Sequence, residues 1–212
     1  MKRMLVCLTS LIALASAAPA AADDGRTVVG GLGGFSFDAR KGATLAISFG
    51  AHVTPTVRVE VEVGKLPDVL PASVMRNLRA DSLQFFSSLG DAVTTNGHLD
   101  ATTVLAMVRL TAPGRERVTP FVEGAAGLAH ASGRLTFAVT DPITGASGSS
   151  STIPSYAFDR LLGLHAIVAA SAGVTIRLDR HLGVDLGYRY SRILADTAIS
   201  ANRVYAQFQL VF

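Results

Sequence analysis

The sequence predicts an all-β fold, an eight-stranded antiparallel up-and-down transmembrane β-barrel. Three observations carry that prediction. Successive stretches alternate apolar and polar side chains with a period of two, their apolar faces carry no charge, and the connections between them alternate between tight turns and long excursions. Period-two alternation specifies a strand with one apolar face. It leaves open which face is inside, because a soluble barrel and a membrane barrel are inside-out versions of each other, so charge placement and loop length must decide.

Residues 1–22, MKRMLVCLTSLIALASAAPAAA, carry Lys2 and Arg3, an apolar stretch and a run of small residues. This is the pattern of a secretory signal peptide, too short in its apolar part for a spanning helix. Residues 23–212 then form one barrel domain. Cys7, the one cysteine of the chain, falls within the leader, which excludes disulfides, thiolate catalysis and cysteine metal sites from the mature chain. Removing Lys2 and Arg3 leaves 17 basic against 16 acidic residues, a balance that gives no reason to expect nucleic acid as a partner.

The glycine-rich RTVVGGLGGFSFD from Arg26 reads as a first strand whose faces glycine leaves ambiguous. The second strand alternates Leu45, Ile47, Phe49, Ala51 and Val53 with Thr44, Ala46, Ser48, Gly50 and His52, and Thr54-Pro55-Thr56 turns the chain. The third sets Val57, Val59, Val61 and Val63 against Arg58, Glu60, Glu62 and Gly64. In the excursion from Lys65 to Asp100, Met75, Leu78, Phe85, Phe86 and Leu89 fall near helical spacing, which predicts a short amphipathic helix packed on the barrel rim, the alternative being a receptor-binding or lipid-surface segment. The fourth strand, ATTVLAMVRL, turns at Pro113-Gly114 into a fifth, VTPFVEGAAGLAHASG, which runs on into LTFAV. Residues 141–155 read as a polar loop by composition. The sixth strand is LLGLHAIVAASAGVTI, short of a membrane helix and broken by glycine. The last two are HLGVDLGYRYS and the stretch ending at Phe212, where Val204, Ala206, Phe208, Leu210 and Phe212 oppose Arg203, Tyr205, Gln207, Gln209 and Val211.

Within these stretches Arg58, Glu60, Glu62, Arg109, Glu123, Arg177, Asp185, Arg189 and Arg203 all fall on the face opposite the apolar one. A lysine or arginine facing lipid at mid-depth costs about 2–4 kcal/mol, so a charge-free face is what hydrocarbon demands. The charged face is then the lumen, and these nine residues form a candidate network of buried ion pairs, with Arg177 meeting Asp185 and Arg109 diagonal to Glu123. The arrangement is structural, with no cofactor and no metal. The five histidines, His52, His98, His130, His165 and His181, accompany no nucleophile-elbow motif, so an enzyme is not expected. Of two mutants, Leu186→Arg is expected to block insertion and Gln207→Arg to be better tolerated.

The spans NGHLDATTVLAMVRL with RVTPFVEGAAGLA, and GVTIRL, VDLGYRYSRI and the final strand, resemble the outer-membrane β-barrel family that includes the opacity proteins and the membrane domain of OmpA. The carboxy-terminal Phe208, Leu210 and Phe212 resemble the sorting pattern of outer-membrane proteins handled by the barrel-assembly machinery. That resemblance implies a bacterial outer-membrane location, outer-membrane lipids as surroundings, and the assembly machinery as a partner during biogenesis. A monomer is expected, non-enzymatic, with an envelope or surface-interaction role. The loops at Leu66 to Leu99 and Gly133 to Arg160 would meet an extracellular partner. The alternatives are porin-like conduction and, less favoured, a lipid-modifying enzyme.

Overall fold

The computed structural model describes residues 27–37, 42–87, 92–113, 117–140, 147–150 and 159–212. The signal segment at 1–22 lies outside them. The strands are β1 (Thr27–Ser36), β2 (Gly42–Thr54), β3 (Val57–Leu66), β4 (Ala92–Thr111), β5 (Val118–Thr140), β6 (Ser147–Ser150), β7 (Gly163–Arg177), β8 (Leu182–Leu194) and β9 (Ile199–Val211), with helix α1 (Ala72–Ser87) between β3 and β4. Neighbouring strands pair antiparallel, β1 pairs with β9, and β4 pairs with β5 to close the ring. Eight strands make the barrel, and β6 is a short addition to the far end of β5.

The register fixes the shape. A row of hydrogen-bonded partners that starts at Arg192 passes through Val168, Ala126, Ala106, Val61, Phe49, Val29 and Leu210 and returns to β8 at Leu182, a stagger of ten residues. Eight strands with that stagger tilt by about 40° from the barrel axis. The apolar exterior run of β2 from Ala43 to Val53 then rises about 25 Å, the height of a lipid-facing band.

The exterior of that band is greasy throughout: Leu45 is 71% exposed, Phe208 62% and Phe212 70%. The ambiguous first strand resolves with Val28 and Leu32 buried in the lumen and Phe35 on the outside. At the upper edge of the band, among the described residues, Lys65 and Arg192 stand on the outer surface. Lys65 ends β3, and β8 runs to Leu194, beyond its predicted end, which brings Arg192 out. Both lie at the long-connection end, where the band stops, and Tyr188, Tyr190 and Phe35 form an aromatic belt just below them.

The long excursions are more ordered than the sequence suggests. Residues 92–100 belong to β4, not to a loop, and pair with the far half of β5 as a two-stranded ribbon above the barrel rim. They do not alternate cleanly because this ribbon faces no hydrocarbon. Part of the predicted polar loop is strand β6; residues 141–146 and 151–158 of the loop excursion lie outside the described residues. The predicted helix exists and packs as expected, though over Ala72–Ser87 and through Val74, Met75 and Leu78.

Leu186, 45% exposed on the exterior of β8, tests the facing. Leu186→Arg is expected to cost about 2–4 kcal/mol of insertion and to abolish the heat-shifted band on gels of outer-membrane fractions, whereas Arg192→Leu should keep it. Gln207→Arg is no longer the tolerated control. Gln207 is fully buried, donates to Ser48 Oγ at 2.7 Å and fills the space above Gly30, where a Cβ would lie 2.3 Å from its Nε2.

Candidate functional site

The lumen at the level of the band is a single charge network. Arg58, Arg109, Arg189 and Arg203 face Glu60, Glu62, Glu123 and Asp185, and all eight are buried. Each element contributes through strand parity: β3 supplies Arg58, Glu60 and Glu62 on consecutive inward positions, β4 and β5 supply Arg109 and Glu123 as direct cross-strand partners, and β8 and β9 supply the rest.

Nearest the short turns, Arg58 Nε donates to Glu60 Oε1 at 2.6 Å and Nη1 to Gln209 Oε1 at 2.8 Å. Asp185 accepts from Arg109, Gln209 and, at 2.7 Å, the Thr175 hydroxyl. Arg109 Nε also donates to Glu123 Oε2 at 3.0 Å, and its guanidinium lies 4.0 Å over the Phe121 ring. Higher in the lumen, Arg189 Nη1 donates to both Glu62 oxygens, at 2.7 and 2.8 Å, while Nη2 donates to Glu123 at 2.6 Å and Nε to Ser171 at 2.8 Å. Arg203 joins Glu62 at 3.3 Å. Glu123 touches both Arg109 and Arg189, so it couples the lower and upper halves.

Eight of the nine predicted residues therefore meet. Arg177 does not. It ends β7 opposite Gly183, two residues beyond the Thr175–Asp185 pair, and is exposed at the short-turn rim, while Asp185 is taken by Arg109 from across the lumen. Its departure leaves four cations against four anions, a neutral interior. Sequence parity also placed Tyr205, Gln207 and Gln209 inward, and all three take part as polar or aromatic lining. Ser171 and Thr175 were legible only as inward residues, since a hydroxyl advertises no partner.

Above the charges the lumen changes character. Leu66, Leu99, Leu105, Met107, Ile167, Ile193 and Ile199 form an apolar core that continues into α1 through Val74, Met75 and Leu78. Outside this core, the chain entering α1 is fastened to β4: the Asp68 and Val69 N–H groups donate to Asp100 Oδ1 at 3.1 Å and to Leu99 O at 2.7 Å. Lys65 and His98 reach Asp100 at 2.9 and 2.8 Å. Asp68 adopts φ 46°, a left-handed conformation that aspartate tolerates better than most residues. His165 faces the lumen, its Nε2 lying 3.1 Å from Leu161 O.

A closed eight-stranded barrel with a lipid-facing exterior and a neutral, charge-filled interior defines a small membrane barrel of the outer-membrane type. The chain belongs to the outer membrane protein beta-barrel domain family, whose model matches residues 5–212. Among solved structures it is similar to Neisserial surface protein A (14% identity, covering 90% of this chain and 98% of that one, TM-score 0.49) and to Ail, the attachment invasion locus protein of Yersinia pestis (14%, 89% and 99%, TM-score 0.47). It is also similar to the outer membrane enzyme PagL (12%, 86% and 98%, TM-score 0.41). No match is found among curated protein sequences.

Removing one member of the network leaves its partners charged and uncompensated in a buried interior. Arg189→Leu is expected to destabilise the barrel by about 3–5 kcal/mol, read from urea unfolding in lipid vesicles. Adding Glu62→Leu should recover part of that loss. A double variant as unstable as the sum of the two single ones would count against the network.

Proposed function

We propose that this barrel is a non-enzymatic, non-conducting protein of the bacterial outer membrane that presents the ribbon of β4 and β5, with α1 against it, to an extracellular partner. The single observation behind this reading is the sequence of layers along the lumen. A charge network and then an apolar core fill the path, which leaves the outer rim as the surface built for contact. The region corresponds to the two excursions singled out in the sequence, Leu66 to Leu99 and Gly133 to Arg160, and long excursions of this kind are frequently functional.

In this reading, residues 1–22 direct export. The lipid-facing Phe208, Leu210 and Phe212 of the last strand are presented to the barrel-assembly machinery during insertion, and the mature barrel works as a monomer among outer-membrane lipids without a cofactor.

Planar-bilayer recordings of the purified protein should show no discrete conductance steps, and lipid A mass spectra should be unchanged on overexpression. Regular steps would replace the reading with a channel; a new lipid A species would replace it with an enzyme. Trimming the ribbon at residues 92–99 and 133–140 should leave the heat-shifted band intact while abolishing attachment of expressing cells to the partner surface.

A further inference from the structure

The two rims of the barrel treat their charges differently. At the long-connection rim several charges fasten structure, as in Lys65 to Asp100 at 2.9 Å and Arg160 to Asp196 at 3.3 Å, while Arg134 and Arg192 stand exposed and apart from one another. At the short-turn rim Arg117, Arg177 and Arg180 are exposed, and none pairs with an acidic side chain among the described residues. They gather on one side. The Arg177 N–H donates to Arg117 O at 2.8 Å, which sets these two residues side by side where β5 meets β7, and Arg180 stands in the turn that follows β7. The β2–β3 turn on the same rim, Thr54-Pro55-Thr56, carries no charge.

The turn that holds Arg180 is braced. Asp179 Oδ1 accepts from the backbone N–H groups of His181 at 2.6 Å and Leu182 at 2.7 Å, which keeps its carboxyl below the usual carboxylate range. Leu178 N–H donates to Leu182 O at 3.0 Å. Asp179 is thus the acidic side chain of the described rim, and it is turned onto the backbone while the arginines stay exposed at the rim. Sequence neighbours Arg115 and Glu116 add one charge of each sign and leave the excess positive.

Directly beside the cations the surface turns apolar. Leu178 is 51% exposed between Arg177 and Asp179, and Val118, 48% exposed, follows Arg117 at the start of the lipid-facing column of β5. Cations that begin where a hydrocarbon-facing surface ends stand at the level of the lipid headgroups. We propose that Arg117, Arg177 and Arg180 form a one-sided docking site for the phosphate-bearing headgroups of anionic phospholipids in the leaflet on the short-turn side, with Leu178 seated among the upper acyl carbons. Guanidinium groups suit this ligand because they take phosphate oxygens in a forked geometry. The site fixes which lipids surround one quarter of the barrel, independently of any partner at the opposite rim.

The chain contains no tryptophan, so L178W places its single tryptophan at the patch, excited selectively over the four tyrosines. The variant is refolded into phosphatidylcholine vesicles that contain a minor fraction of brominated phosphatidylglycerol or, in parallel, brominated phosphatidylcholine. Quenching by the anionic lipid is expected to be about threefold stronger, to weaken as salt is added, and to fall to the phosphatidylcholine level when R117Q, R177Q and R180Q are combined on the same background. The heat-shifted band, unchanged in that combination, shows that the barrel still folds. Equal quenching by the two lipids overturns the site, as does a preference that survives the three substitutions. Loss of the preference on adding soluble peptidoglycan fragments would reassign the patch to an anionic glycan and overturn the lipid assignment.

Discussion

Everything inside the barrel answers to one constraint: eight strands staggered by ten residues enclose little more than their own inward side chains. A charge placed there is buried away from bulk water, so its main partner must be another inward side chain. Arg58, Arg109, Arg189 and Arg203 against Glu60, Glu62, Glu123 and Asp185 is the neutral solution, and Glu123 ties its halves together through Arg109 and Arg189. The tightness shows at two glycines. A Cβ on Gly187 would lie 2.8 Å from the Tyr205 ring, and one on Gly173 would meet Leu186 O at 2.3 Å and Phe121 at 2.8 Å. The aromatic rings that receive the arginines occupy the room these glycines leave.

The same requirement of satisfying every surface explains why the chain inverts its polarity part-way up. Below Lys65 and Arg192 the outside is apolar and the inside charged. Above them the outside carries Asp100, His130 and Arg134 while the inside packs Leu99, Ile193 and Ile199. The hydrocarbon ends at this height, water takes its place outside, and the ribbon with α1 adopts the rule of a soluble protein, burying its apolar side chains against one another. The barrel therefore carries two kinds of interior in one lumen.

That inversion also decides what was legible in the sequence. Parity is conserved along a strand whatever lies outside it, so the inward placement of Arg58, Glu60, Glu62, Arg109, Glu123, Asp185, Arg189 and Arg203 could be read directly. Leu105 and Met107 share that parity with Arg109, yet their role as the floor of an apolar core is invisible without α1 above them. Residues 92–100 were missed as strand because the alternation rule presumes one face in lipid, and THis ribbon segment has none there. Arg177 was misplaced for the opposite reason: its parity is inward, but the strand ends before the lumen closes around it, and no periodicity records where a rim begins.

A wall committed to lipid and a lumen committed to its own charges leave the two rims as the surfaces where chemistry can vary. At the outer rim some of the charged side chains are spent on architecture: Asp100 gathers Lys65, His98 and the Asp68 N–H, and so pins the chain that leads into α1. At the inner rim the Asp179 carboxylate braces a turn, and Arg117, Arg177 and Arg180 pair with no acidic side chain among the described residues. Free cations beside an apolar column contribute little to folding, since exposed charges are screened and add little stability. Their placement is therefore better understood by what they face than by what they hold together.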